Sequence, residues 1–255
     1  MRETLSGRGA DDRAVSDVVA FVLVFALVVT AVGLVTTIGF GSLQEVAQGE
    51  QAKSAEIAFD AVAKTVADLE RGTAPVRSSE VSLSDGSMSV VEGATIEVRV
   101  DPDDSDSLSF GSSSYEYTRT TGGIEYRSEA TRFTYESGTV YRGGSAGSVR
   151  RASPSMTCED GTAVVSLVQV QADGTSSVAG GSTTVVSRAT NRSVLYSSAR
   201  QPNTQGVQVT VTSPGQEAWN EYFADAAGWS GSSGTYTCTA DRVFVRLTVV
   251  NIQFR

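Results

Sequence analysis

The 255-residue chain has no histidine, two lysines, two cysteines and five prolines. Without an imidazole there is no Ser-His-Asp or Cys-His catalytic unit, because each depends on that base, and no histidine-bearing metal site. Two thiols are too few for a four-cysteine zinc centre. Positive charge is short as well, with 20 Lys plus Arg against 29 Asp plus Glu and a net charge of -9. Nucleic-acid affinity rests largely on neutralising phosphates, so no nucleic-acid partner is expected. No cofactor or metal motif is read, and no carboxylate pair stands out as an acid–base couple. The expectation is a non-enzyme.

What is present is more specific. The only lysines are Lys53 and Lys64; the other 18 basic residues are arginine. Abundant acids, scarce lysine and many Ser, Thr and Gly resemble the composition of a salt-loving archaeal protein, in which hydrated carboxylates keep the surface soluble under strong screening. The alternative is a Ser/Thr-rich surface protein with an acidic face. The length allows one domain of ordinary to large size or two small ones.

Val18 to Gln44 carries no charge, and Val18–Phe40 is 23 residues of nearly continuous apolar side chains. As a helix this reaches about 35 Å, enough for a ~30 Å hydrocarbon core. Val and Phe are poor helix formers in water, but in lipid the backbone must satisfy its own hydrogen bonds, which forces a helix. Arg2, Arg8 and Arg13 precede the run. They predict a cytoplasmic N-terminus and an extracellular remainder in a single-pass membrane protein. A cleaved secretory signal is disfavoured, since its apolar region spans only about 7–15 residues. A plain signal anchor and a pilin-type signal are the two other identities.

The residues Arg13-Ala14-Val15-Ser16-Asp17-Val18-Val19-Ala20 resemble the class III signal of haloarchaeal type IV pilins, R-[AG]-x-S-P-V-I-G. Asp17 stands where proline is usual, and Val19-Ala20 replaces Ile-Gly. The resemblance implies cleavage between Ala14 and Val15 by a prepilin peptidase, removing a 1–14 leader and leaving 241 residues. It also implies a 15–44 transmembrane and assembly helix that contacts the membrane and then other pilin subunits. Asp17 is a candidate partner for a freed α-amino group, its own or a neighbour's; an exposed helix N-cap is the alternative.

Residues 45–72 read as an amphipathic helix. Ala52, Ala55, Phe59, Val62, Ala63, Val66 and Leu69 recur at spacings of three and four. Gly72 closes the helix and Pro75 prevents its return, while Gly39, Gly41 and Gly49 are points where the rod could bend.

From residue 80 the period becomes two. Asp85-Gly86 predicts a hairpin between Glu80–Ser84 and Ser87–Val91. Further strands are expected at Thr95–Val100, Ser113–Arg119, Gly123–Arg127, Thr131–Tyr135, Val164–Val170, Thr183–Ser187, Val207–Thr212 and Val243–Phe254. Loops are expected at Arg142–Ser148 and Ser230–Thr235, and a short helix at Gln216–Ala227. The fold expected is α+β: a long N-terminal helix followed by an antiparallel, β-rich, sandwich-like head over 80–255.

Cys158 and Cys238 are either a disulfide closing a loop of about 80 residues, contributing ~4 kcal/mol, or two buried thiols. Asn191-Arg192-Ser193 is an N-x-[ST] sequon, so Asn191 is a glycosylation candidate in an exported protein; a chance match is the alternative. Asp101–Asp106 clusters four carboxylates and is read as a solvated turn. Gly138-x-Val-Tyr, Cys158, Trp219…Tyr222-Phe223, Cys238 and the final VFVRLTVVNIQF resemble an uncharacterised haloarchaeal family of pilin-like surface proteins. The function expected is a pilin-like, membrane-anchored surface subunit able to join or prime a filament. A signal-anchored binding protein that does not assemble is the alternative, and an anchored hydrolase a distant third.

Overall fold

The computed structural model describes residues 11–102, 108–112, 114–129, 131–144, 147–200 and 204–255; for 11–17, 37–48, 51, 84–85 and 144 it describes the backbone path alone. The chain divides into two compact units, Met1–Glu50 and Gln51–Arg255.

The described part of the first unit is helical. It belongs to α1 (Asp11–Arg71), a single helical element that runs on into the second unit. Within it, every residue from Val18 to Thr36 is exposed, although nearly all are apolar. Such a surface has no reason to exist in water.

In the second unit, α1 shows the other helical pattern. Ala55, Phe59, Val62, Val66 and Leu69 are buried, while Lys53, Asp60 and Lys64 face solvent. The 4-3-4-3 spacing places the apolar set on one stripe. The helix closes with a Schellman motif. Gly72 takes φ 78°, its N–H donates to the Leu69 carbonyl, and the Thr73 N–H donates to that of Asp68. Glycine is needed there because a side chain in the left-handed region is strained.

Two sheets complete the unit. The larger is nine-stranded, ordered β7-β6-β5-β4-β1-β10-β14-β9-β8. Its strands are β1 (Val76–Val91), β4 (Gly123–Arg127), β5 (Arg132–Glu136), β6 (Thr139–Gly144), β7 (Gly147–Ala152), β8 (Met156–Glu159), β9 (Thr162–Ala172), β10 (Ser177–Ser197) and β14 (Arg242–Phe254). The smaller is five-stranded, ordered β12-β13-β11-β2-β3. It is built from β2 (Thr95–Asp101), β3 (Tyr115–Thr120), β11 (Gly206–Thr212), β12 (Ser230–Ser232) and β13 (Thr235–Thr239). Pairing is antiparallel except between β14 and β9.

The large sheet is the middle of three layers. One face packs on the α1 stripe: Phe59, Val62, Val66 and Leu69 meet Leu83, Met88, Ile124, Tyr126, Phe133, Tyr135, Val170 and Ile252. The Phe59 ring lies 5.9 Å from that of Phe133. The other face packs on the small sheet and on α2 (Gln216–Asp225), through Val165, Leu167, Val243 and Val245 against Ile96, Val98, Val207, Val209, Trp219 and Phe223. Strand β14 serves both: Val243, Val245 and Leu247 turn one way, Val250 and Ile252 the other, as a two-residue period requires. The α+β, sandwich-like fold read from the sequence is therefore present.

Three local expectations are corrected. Asp85-Gly86 makes no hairpin: β1 runs straight through it, with ladder offsets against β10 between Ser82 and Ser87. Gly86 does not need a positive φ. A Cβ there would lie 2.6 Å from the Tyr126 ring, so ring packing demands the glycine. The stretches Arg142–Ser148 and Ser230–Thr235 are hairpin regions, β6–β7 and β12–β13, not open loops. The hairpin turns instead fall at Ser137-Gly138, Asp160-Gly161 and Ser233-Gly234, all six residues with positive φ, the signature of type I′ turns. Strand β10 is also far longer than the predicted Thr183–Ser187.

Candidate functional site

The segment singled out by sequence starts at Arg13, Ala14, Val15 and Asp17. All four lie on helical backbone; their side chains, and residues 1–10, fall outside the described residues. The pairing of Asp17 is therefore outside what is described. The apolar surface follows at once. Val18–Thr36 has a mean hydropathy of 3.0 and is long and apolar enough to cross a membrane. Its two polar hydroxyls at described positions are satisfied within the helix: Thr30 Oγ1 donates to the Ala26 carbonyl and Thr36 Oγ1 to the Val32 carbonyl, each at 2.7 Å. That i−4 bond lets a threonine sit in hydrocarbon without an orphaned donor.

At the other end of α1, the helix terminus is clamped to the large sheet by charged groups. Glu70 has its side chain only 4% exposed and accepts from Arg246 of β14 at 2.9 Å. The other carboxylate oxygen accepts from Ser155 Oγ at 3.2 Å. Arg192 of β10 donates from Nε to the Leu69 carbonyl at 2.9 Å and from Nη2 to the Ala74 carbonyl at 3.2 Å. The guanidinium is a second donor to the Leu69 carbonyl, which also accepts the Gly72 N–H, and its charge opposes the negative end of the helix dipole.

Helix α2 lies along β7. Its Glu217 accepts the Ser148 N–H at 2.9 Å and its Glu221 the Arg150 N–H at 3.4 Å. Asp225 takes the Arg150 side chain at 2.5 Å. The three acids are spaced four apart, so one helix face presents them in a row. Beneath α2 sits Glu136, 1% exposed. It accepts from Ser213 Oγ at 2.6 Å, Tyr141 Oη at 2.8 Å and Trp219 Nε1 at 3.4 Å. All three donors are neutral. Burial therefore pushes the Glu136 carboxyl above its usual range, and the hydrogen bonds only partly oppose it. No local pattern marks this residue, or Glu70, among the 29 acids of the chain.

The remaining expected residues fall in separate places. Cys158 of β8 and Cys238 of β13 form a disulfide, which staples the large sheet to the small one. Asn191 is exposed on β10, away from the cysteines in the sheet order. Of the acidic turn, residues 103–107 fall outside the described residues; Asp101 is buried and accepts the Ser109 N–H at 2.6 Å. Among the described residues no cluster of three acids or cysteines could hold a metal. A groove of about 380 Å³ lies beside α1, lined by Lys53, Glu56, Ile57, Asp60, Val140, Arg151 and Ala152.

A family of unknown function, DUF7289, matches residues 13–255, so the matched segment starts at Arg13. No curated protein and no solved structure matches the chain.

Proposed function

The chain belongs to the DUF7289 family, and on that premise we propose that it is a pilin-like, membrane-anchored surface subunit of a halophilic archaeon. A prepilin peptidase removes residues 1–14, and the mature chain joins or primes a filament. The observation that carries this is the exposed, uncharged helix Val18–Thr36 directly after Arg13-Ala14-Val15-Ser16-Asp17. A helix apolar on every side is soluble only in lipid or against other such helices. Removing the arginine-bearing leader leaves an uncharged rod that can exchange the first environment for the second. In this reading the N-terminus starts in the cytoplasm and the β-rich head faces outward, where an acidic surface suits brine.

Departures from the usual signal, Asp17 in place of proline and Val19-Ala20 in place of Ile-Gly, favour a second reading, a signal-anchored surface protein whose head binds a target without assembling. Mass spectrometry of the mature N-terminus separates the two. The pilin reading expects Val15 as residue one, processing abolished by Arg13→Ala, and release of the protein with sheared filaments. An uncut Met1, or a cut beyond residue 30, overturns it.

A further inference from the structure

We propose that Asn191 is an N-glycosylation site that accepts an oligosaccharide from a polyprenyl-phosphate-type carrier. The inference rests on the outward-facing head proposed above.

Three described asparagines bear comparison. Asn220 is engaged by Tyr236 Oη at 2.5 Å and by Gln216 Nε2 at 3.1 Å. Asn251 has its side-chain oxygen buried. Asn191 alone of these is exposed, and it alone begins an N-x-[ST] triplet, completed by Ser193.

The strand geometry gives that exposure a direction. The β10–β14 ladder is offset between Ala189 and Asn191, after which Asn191 stands opposite Val249 and Arg192 opposite Thr248. Val249 packs toward the small-sheet side of the large sheet. Arg192 reaches the other way, to the carbonyls at the end of α1. Successive residues of a strand point to opposite faces. A chain attached at Asn191 Nδ2 therefore leaves from the face opposite the helix clamp, and the folded head accommodates it without disturbing Arg192. Strand β14 follows β10 in the chain, so Asn191 is open to transfer before β10 closes on β14 as well as exposed afterwards.

In the transfer, the Asn191 Nδ2–C1 bond to the first sugar forms as the C1–O bond to the carrier phosphate breaks. The amide proton passes to a base of the transferring enzyme, and the polyprenyl phosphate departs with the electron pair.

The test uses full-length protein purified from native membranes. Peptides spanning residues 185–195 are analysed by mass spectrometry, and external protease treatment of intact cells reports whether the head faces outward. The expected result is an oligosaccharide mass on Asn191 that is lost in Asn191→Gln and Ser193→Ala and kept in Ser193→Thr. Asn191→Gln should leave the thermal midpoint of the folded head unchanged apart from any contribution of the glycan. An outward-facing head with unmodified Asn191 overturns the site while sparing the topology. A head that protease cannot reach overturns both.

Discussion

The two halves of α1 are both rich in apolar side chains and use them in opposite ways. Between Val18 and Thr36 the apolar residues surround the helix and all stand exposed. Between Ala55 and Leu69 they fall on a single stripe, and that stripe disappears against a sheet. Apolar content alone does not distinguish the halves; angular distribution does. A stripe indicates a neighbour on one side and water on the other, whereas an unbroken apolar circumference indicates a surrounding apolar medium.

In the striped half, Phe59 is fully buried between the rings of Phe133 and Tyr126. Phe59→Ala should destabilise the head by about 3–5 kcal/mol. Denaturant unfolding measures this, and membrane retention should not change. The converse substitution is Val28→Arg, in the middle of the exposed half. It should cost about 3 kcal/mol of membrane insertion, read as protein lost from the washed membrane fraction, with head unfolding unaltered. If both variants lower the same property, the division between the halves is wrong.

A smaller effect is expected where α1 ends. Arg246→Met leaves the Glu70 carboxylate with Ser155 as its remaining partner in the clamp. Because the Arg246 side chain is 40% exposed, solvent discounts the pair, and a loss of about 1–2 kcal/mol is expected by chemical denaturation.

The smallest effect concerns pH. Glu136 has its folded pKa raised by burial, so the folded state holds its proton more tightly than the unfolded chain. Its contribution is fully present below the unfolded pKa and is lost as pH rises through the folded one. Glu136→Gln removes that titration. The melting temperature of the variant relative to the parent should therefore rise as pH climbs from the carboxylate range toward neutrality. A difference that stays flat or falls with pH sinks the assignment.

Much of the fold was legible because it is written in periodicity. The α1 stripe, the alternation in Val243–Phe254 and the apolar face of Gln216–Asp225 each follow from local spacing. Turn dipeptides were less dependable, for a physical reason. Asp160-Gly161 adopts positive φ at both residues and turns the chain. Asp85-Gly86 has nearly the same local chemistry but lies inside a strand, because the deciding group, the Tyr126 ring over Gly86, comes from far along the sequence. Glu70 and Glu136 were illegible for the same reason. Nothing beside them in sequence marks either acid, since Arg246, Ser213 and Trp219 reach them only in the folded chain. Spacing alone leaves Cys158 and Cys238 as either a disulfide or two thiols, because only the packing of β8 against β13 brings the sulfurs together.

The row of acids on α2 has a consequence for crowding. Strand β7 is the last of its sheet, and outward-pointing amides on such a strand are a template on which another polypeptide can extend the sheet. Here the amides of Ser148 and Arg150 are already occupied by Glu217 and Glu221. An incoming strand would have to displace carboxylates and leave them without their donors. Many copies of the head can therefore stand side by side at high density without fusing into a continuous sheet through this edge.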